Sequence, residues 1–592
     1  MSTGTQQSPL HTVPVPDLAS RLEPVLDTRF ALKLQHAIVV AAFATMFLLV
    51  NHLPLSAYQT WEHANRGQWI LNHGRIPTEV PSAELADGMP FTATSWLSDV
   101  AIAFAANIHP EVISSVMAIA TTFSLGLWFW IFLQASGRKR FALAATLATA
   151  VYWSFGLGAL RSQVLGGMVL PSLFVLLWPM IQRQDDGDLR VHSQSGLKRW
   201  RVIGIFSLFV LWANLDISHL IGVAILVGFV VSVAIERVVD FAGSSFHRTG
   251  KLIDDRDFQQ WILLTELAVL ATFLNPAGFN LWKSLVTFDT QGPIWSVAGG
   301  SYGLRLATTS GALFGFLLFA LVMLWLYRRW TVRVYEVVIT VTLTLLTALH
   351  ASCIYWFAPV LMFFVARHLR GGADLQTAKE LTKRVTQQVS SSPAESQVEP
   401  ERRPLFFAWS LICLLLIWFG FAFSPTANPV LGSRGRPVHR LYEESVPYGV
   451  GEFFANVPKG DLDNAISNGL VFSPFDWSDW LQWHSHSDRQ PFVTSRLGGF
   501  PASVQRDYWK IFEGDQGWDL LVDKYRVSTL VIDRKRQSRL AAEIMRTGGD
   551  WRLVYESATA MIAVNAGLAN EWRLPTETAS KKQLPVAGRR LR

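Results

Sequence analysis

The chain has 592 residues, 50% of them hydrophobic and only 16% charged, with 24 Trp and 38 Phe. Soluble domains carry about 25% charged residues, so this composition, gathered into runs of about 20 apolar residues, excludes an ordinary soluble enzyme and predicts a polytopic helical membrane protein. The net charge of +7 sits largely in short loops beside apolar runs, where it acts as a topology signal and implies no nucleic-acid partner.

Residues 1–32 form a polar, cytoplasmic N-terminal segment without a cleavable signal, and the first apolar run, 33–55, reads as a retained helix. The following stretch, first loop 56–110, carries its own secondary structure, and loops of this length are more often functional than connective. It opens with an amphipathic helical pattern, Trp61, Ala64, Trp69 and Ile70, suited to a membrane–water interface. Gly74 ends that helix, Pro77 and Pro81 stiffen a turn, and Trp96-Leu97 begins a second short apolar helix.

Further apolar runs lie near 111–134, 141–160, 164–182, 202–216, 218–236, 259–281, 310–327, 334–350, 353–369 and 404–424, making about 11 transmembrane helices in all. The pair at 202–236 also reads as one long broken helix. With eleven spans, Arg138-Lys139-Arg140, the 183–201 loop, Arg237 to Arg256, Arg328-Arg329 and Arg367 to Arg403 all share the cytoplasmic side. The first loop, the Arg161 corner, the Asp216–His219 corner, residues 282–309 and the C-terminal part share the opposite, exoplasmic side. This places the transmembrane domain at 33–370 and the last helix at 404–425. Residues 371–403 between them are polar, Ser- and Pro-containing, and read as a cytoplasmic linker. Beyond it the composition becomes that of an exoplasmic α/β domain, 426–575, followed by a polar tail, 576–592. Strands are expected at Gly469–Ser473, Phe492–Thr494, Ser528–Ile532, Arg552–Tyr555 and Ala560–Asn565, and helices at Gln505–Glu513, Trp518–Tyr525 and Gln537–Arg546. Cys353 and Cys413 both fall in apolar runs, so neither a disulfide nor a metal site is expected.

Polar residues at the outer helix ends are informative because burying them unpaired is costly. Arg161 and Gln163 cap the third and fourth spans, Asn214, Asp216 and His219 cluster between the fifth and sixth, and Asn275-Pro276-Ala277-Gly278 breaks the seventh. All reach the leaflet of the first loop and can line one cavity for a charged headgroup whose tail stays in the bilayer. The competing reading is helix capping at a wet corner. The loop supplies Glu62, Glu79, Glu84, Asp87 and Asp99, with His63 and His73 nearby. Sugar transfer needs a carboxylate to deprotonate the acceptor and a cation to hold the donor phosphate. Glu62 beside His63, or Glu79 in the stiff Ile76–Pro81 turn, fits the base, and Glu79 is the more constrained of the two; each acid alone also reads as a solvated surface residue.

These residues resemble the GT-C type of membrane glycosyltransferases that use polyprenyl-phosphate-linked sugars, and more closely a bacterial branch whose first loop reads D-x-W-W-H-L…G-x-W-I-L-x-H-G-x-I-P-x-x-D-P-x-S…G-x-P-W…H-E-W-L-S-E-V. The counterparts are Trp61, His63, Gly67, Trp69-Ile70-Leu71, His73-Gly74, Ile76-Pro77, Pro81, Ser82, Gly88, Pro90 and Trp96-Leu97-Ser98-Asp99-Val100. Arg161-Ser162-Gln163 is similar to an R-P-Q corner, Leu211-Trp212-Ala213-Asn214 to L-W-x-N-x-H-G, Asn275-Pro276-Ala277-Gly278 to N-P-x-G, and Trp477 to Arg496 to a W-G-x-Y-L…D-G-R segment. The resemblance spans nearly the whole chain, through the order and spacing of motifs that are individually weak.

The resemblance implies an integral inner-membrane protein that transfers a sugar from a polyprenyl-phosphate donor to an exoplasmic acceptor, in contact with membrane lipid and with Arg161 near the phosphate. A divalent cation is the one candidate cofactor. Against it, the acids of the pattern fall on Gln59 and Val80, its H-E pair on Thr94-Ser95, and its His-Gly on Asp216-Ile217. Glu62 and Glu79 stand close enough to substitute. The alternative is a catalytically degenerate relative that serves as a non-enzymatic assembly or interaction component, with a protein partner on the exoplasmic domain.

Overall fold

The computed structural model describes residues 32–57, 60–81, 83–154, 162–186, 198–243, 255–287, 304, 306–349, 353–369, 406–428, 436–485, 489–547 and 550–565. The N-terminal segment, Gln59, Ser82, Arg161, most of the 282–309 loop, the 371–403 linker and the polar tail lie outside these residues.

Helices occupy every apolar run. In order they are α1 (Leu34–Asn51), α2 (Thr60–His73), α3 (Trp96–Ile108), α4 (Pro110–Ser136), α5 (Lys139–Ser154), α6 (Ser162–Gly166), α7 (Val169–Asp186), α8 (Arg199–Leu215), α9 (His219–Gly243), α10 (Arg256–Thr272), α11 (Phe279–Thr287), α12 (Thr309–Tyr327), α13 (Val334–Leu349), α14 (Ile354–His368) and α15 (Phe406–Ala422). Among the described residues, five stretches are long and apolar enough to cross a membrane: Leu34–Asn51, Pro110–Ser136, Gln163–Gln182, His219–Val239 and Thr309–Tyr327. The 202–236 region is two helices, not one, because Asp216 and Ser218 turn the chain between α8 and α9. The seventh run stops early, at Thr272, where the Asn275 side chain accepts from Ala277 N at 2.8 Å and donates to Ala213 O at 2.8 Å.

α4 is the central helix, starting with proline at its first position and ending at Gly137 with φ of 68°. It packs against α1, α3, α5, α7 and α14, and Trp128 meets Phe174 at 5.3 Å, which in turn meets Phe363 at 5.3 Å. At one end of the bundle, fully buried Glu336 accepts from Trp325, pairs with Arg367, and lies 2.6 Å from His368 Nε2, tying α12, α13 and α14 together. Cys353 and Cys413 are free thiols.

The C-terminal part is an α/β module: α16 (Val438–Leu441), α17 (Tyr448–Asn456), α18 (Asp461–Ser467), β1 (Leu470–Phe472), α19 (Phe475–His484), α20 (Ala502–Glu513), α21 (Trp518–Lys524), β2 (Val527–Asp533), α22 (Ser538–Thr547), β3 (Trp551–Glu556) and β4 (Ala560–Asn565). The sheet runs β1-β2-β4-β3, with β1 parallel to β2 and the other pairs antiparallel. The expected strand at Phe492–Thr494 is a correction: this segment makes one bridge, Pro491 to Val471, and then bends away. Its apolar side chains are buried as loop residues, Phe492 stacking edge-on to Phe472 at 5.4 Å.

The first loop is fastened to this module. Leu55 N donates to Leu441 O at 2.7 Å and Glu443 N donates to Leu55 O at 3.0 Å. Ala83 and Ala86 are buried in the module's own core with Phe472, Phe492 and Tyr508, and Val80 packs against that core. Trp61, expected at a membrane–water interface, is instead fully buried among Tyr442, Trp483 and His484. An amphipathic period reports that one face is covered and does not say by what.

Candidate functional site

The charged side chains of α2 and α3 meet because the two helices touch at Gly67. A Cβ there would lie 2.0 Å from Asp99 O and 2.7 Å from Ala103 Cβ, so only glycine permits this approach. One turn of α2 thereby faces the first turn of α3, and the i, i+4 spacing of Glu62 and Arg66 puts both on the facing side.

Arg66 is the hub. Its Nη1 donates to Glu62, its Nε donates to Asp99 Oδ2 at 3.0 Å, and its Nη2 donates to Asp99 Oδ1 at 3.2 Å. The pairing with Asp99 is the two-pronged fork that guanidinium geometry favours. His63 Nδ1 lies 2.6 Å from Asp99 Oδ1, and Ser95 Oγ donates to the same oxygen at 3.2 Å. Burial by itself raises the Asp99 carboxyl, but Arg66 and His63 outweigh it and bring the group down to about 2; a helix N-terminus adds in the same direction. Burial also raises Glu62, and Arg66, His63 and Arg496 together hold it below its ordinary range. Both acids are therefore ionised at neutral pH.

The module closes the cluster from the other side. Asn65 Nδ2 donates to Asp479 O at 2.9 Å and to Gln482 Oε1 at 3.2 Å, and Ser495 Oγ donates to Glu62 Oε2 at 3.3 Å. Asp479 is buried, and its Oδ2 accepts from Ser495 N at 2.8 Å. Burial and the Glu62 carboxylate push Asp479 up to about 6 against those Ser495 bonds. Arg496 is half-buried, with its guanidinium 4.9 Å from the Phe91 ring centre, and Arg66 lies 5.7 Å from the same ring.

α3 links this cluster to the second group of sequence-identified residues. Trp96 Nε1 donates to Asn214 Oδ1 at 2.6 Å, and Ser98 Oγ donates to Leu215 O at 2.6 Å. Asp216 Oδ2 accepts from Ser218 N at 3.0 Å and lies over Gly166, while His219 Nδ1 is 3.0 Å from Asp216 O. Asn214 and Asp216 thus do the work of helix ends. His219 Nε2 and Tyr355 Oη, by contrast, are buried without a hydrogen-bond partner among the described residues, and Tyr355 Oη stands beside Gly167. Gln163 is half-buried in α6 and accepts from Gly167 N through its backbone. Arg161 lies outside the described residues.

The structure brings Glu62 and His63 together and keeps Glu79 apart. Val80 N donates to Met89 O at 3.1 Å and Phe91 N donates to Thr78 O at 2.8 Å, so the turn is held as a short hairpin. Neighbours in such a pairing face opposite ways: Val80 turns toward the module core and Glu79 is exposed. Among the described residues no three His, Cys, Asp or Glu side chains are arranged to hold a metal ion; Glu62 and Asp99 are turned to Arg66 instead. Of the module residues, Arg496 closes the segment that resembles W-G-x-Y-L…D-G-R, while Arg66, Asp479 and Ser495 are not singled out by the sequence. For Arg66 the i, i+4 spacing to Glu62 is a usable signal, whereas Asp479 and Ser495 lie hundreds of positions from Glu62 and no periodicity brings them to it.

No family model matches the chain, and no curated protein matches it. Among solved structures, the chain is similar to ArnT from Cupriavidus metallidurans in the apo state, at 12% identity and a TM-score of 0.45, over 90% of this chain and 99% of that one. It is similar to ArnT of the same organism bound to undecaprenyl phosphate at 13% identity and a TM-score of 0.44, with the same coverage.

Proposed function

We propose that this chain is an inner-membrane glycosyltransferase of GT-C type, moving a sugar from a polyprenyl-phosphate donor to an acceptor on the exoplasmic face. What supports the reading is one observation: the loop acid Glu62 is paired with the Arg66 guanidinium while its side chain keeps 15% exposure, at the edge of an otherwise buried cluster. In the proposed step the acceptor hydroxyl oxygen bonds to the sugar's anomeric carbon, Glu62 takes the hydroxyl proton, and the bond from that carbon to the donor phosphate breaks. The lipid phosphate leaves with the electron pair, its charge held by a nearby cation. Asp99 fixes Arg66 and His63 and does not itself touch substrate. The N-terminus is cytoplasmic, and the module, with the first loop docked to it, is exoplasmic.

A second reading is favoured by a different observation. Both Arg66-bound acids are already charge-compensated, and Val80, where the resembled pattern has an acid, packs on an apolar core. A scaffold without chemistry, fastening the loop to a module that docks a partner, has the same contacts.

The full-length protein assayed with an undecaprenyl-phosphate-linked sugar separates the two. Glu62→Gln is expected to lower turnover about a hundredfold or more while the protein still accumulates in the membrane. Wild-type turnover in that variant removes Glu62 from the base role. A wild type that turns over none of a panel of such donors puts the scaffold reading first.

A further inference from the structure

Arg66 and Arg496 sit against the same aromatic ring, yet their surroundings differ. Arg66 has two carboxylates, one of them gripped by two prongs. The Arg496 side chain makes no hydrogen bond and no ion pair among the described residues, and its guanidinium lies 4.9 Å over the face of Phe91. It is half-buried, and burial together with the repulsion of Arg66 works against its charge, with Glu62 and Asp99 offsetting part of this. A guanidinium stays protonated even so. An exposed cation–π contact contributes only about 0.5–1 kcal/mol, so the N–H donors of this half-buried guanidinium remain available to an anion.

The backbone explains why Arg496 cannot relax into a pair. Ser495 is tied by its N–H to Asp479 and by its hydroxyl to Glu62. Leu497 is buried in the module core and opens a short helical turn. The residue between them is thus pinned on both sides, with its side chain delivered across the module–loop boundary to the edge of the Glu62 cluster. A surface arginine free to swing would find a carboxylate; this one is positioned.

We propose that Arg496, supplied by the α/β module, is the residue that holds the donor's phosphate beside Glu62, with Phe91 as the platform that fixes the plane of its guanidinium. The inference rests on the glycosyl-transfer reading and adds to it that the site is built from two parts of the chain. The cation comes from the module and the base from the first loop. A guanidinium presents two parallel N–H donors to a tetrahedral anion, which an ammonium does not.

The test is binding of three probes to the purified full-length protein: undecaprenyl phosphate, undecaprenol as its phosphate-free control, and inorganic pyrophosphate. Arg496→Gln is expected to weaken undecaprenyl phosphate about tenfold to a hundredfold, the span for losing a charge-assisted hydrogen bond, and to leave undecaprenol unchanged. Arg496→Lys, which keeps the charge and loses the fork, is expected to fall between, and Phe91→Leu to weaken the phosphate probe alone; both serve if the Gln variant unfolds. Equal binding of undecaprenyl phosphate by wild type and variants overturns the role of Arg496 and leaves the glycosyl-transfer reading standing. Arg496-dependent binding of pyrophosphate without any binding of the lipid keeps Arg496 as a phosphate-holding residue and removes the lipid donor. No binding of either anion by the wild type overturns the proposal.

Discussion

Asp479 and Asp99 show how one buried network moves two like groups in opposite directions. Asp99 meets the Arg66 guanidinium, the His63 ring and a hydroxyl and falls to about 2; Asp479 meets a carboxylate in Glu62 and rises to about 6. Their consequences for stability follow from the protons bound in the folded and unfolded states. Asp479 binds its proton more tightly when folded, so its contribution is complete below about pH 4, the ordinary Asp range, and is lost as pH rises through about 6. Asp99 behaves inversely: its contribution is complete above about pH 4 and is lost as pH falls toward about 2. Asp479→Asn is therefore expected to flatten the decline in the thermal unfolding midpoint between pH 4 and 6 and to leave the acid limb intact, as read by tryptophan fluorescence. An unchanged slope over that interval would mean that Asp479 is not the group that titrates there. Glu62 and His63 were legible in the sequence as an acid and a base side by side on one helix. That Glu62, and not Glu79, enters the cluster was not, because the choice between them depends on which face of a two-residue pleat the module covers.

α2 and α3 are legible as elements: Gly74 and the proline-rich turn end the first, and Trp96-Leu97 starts the second, as the structure has them. Their mutual approach is less so, since a glycine inside a helix signals a close neighbour without naming it. Gly67 is that point of contact, against the α3 backbone at Asp99. Gly67→Ala improves helix propensity, yet it is expected to destabilise the protein by about 1–3 kcal/mol through overpacking, and to reduce turnover by drawing Asp99 off Arg66. A rise in the unfolding midpoint would show that the helices part without consequence. The same reasoning accounts for the expected strand at Phe492–Thr494 that does not form: apolar character predicted burial correctly, while pairing was decided by Pro491 and the bend that follows it.

For the whole molecule, composition and the spacing of apolar runs were enough to read a helical membrane chain and a separate α/β module. They were not enough to show that the first loop lends Ala83 and Ala86 to the module's core. The sidedness proposed from the basic loops has a direct check in spheroplasts, using a background in which Cys353 and Cys413 are replaced. S445C is expected to react with a membrane-impermeant maleimide, and K198C only after permeabilisation; the opposite pattern reverses the orientation. The long reach of the loop–module contacts also sets an order of events during synthesis. Asn65 meets Asp479 across 414 residues and Glu62 meets Ser495 across 433. At translation rates of about 5–20 residues per second, α2 waits roughly 20 to 90 s for the residues that complete its cluster. During that wait the helix-local pair of Glu62 with Arg66 and the grip of Arg66 on Asp99 are already available within the loop. What it lacks is Arg496. A ribosome that stalls before the module leaves the membrane helices in place but withholds Ser495 and Arg496, which meet the Glu62 cluster from the module side.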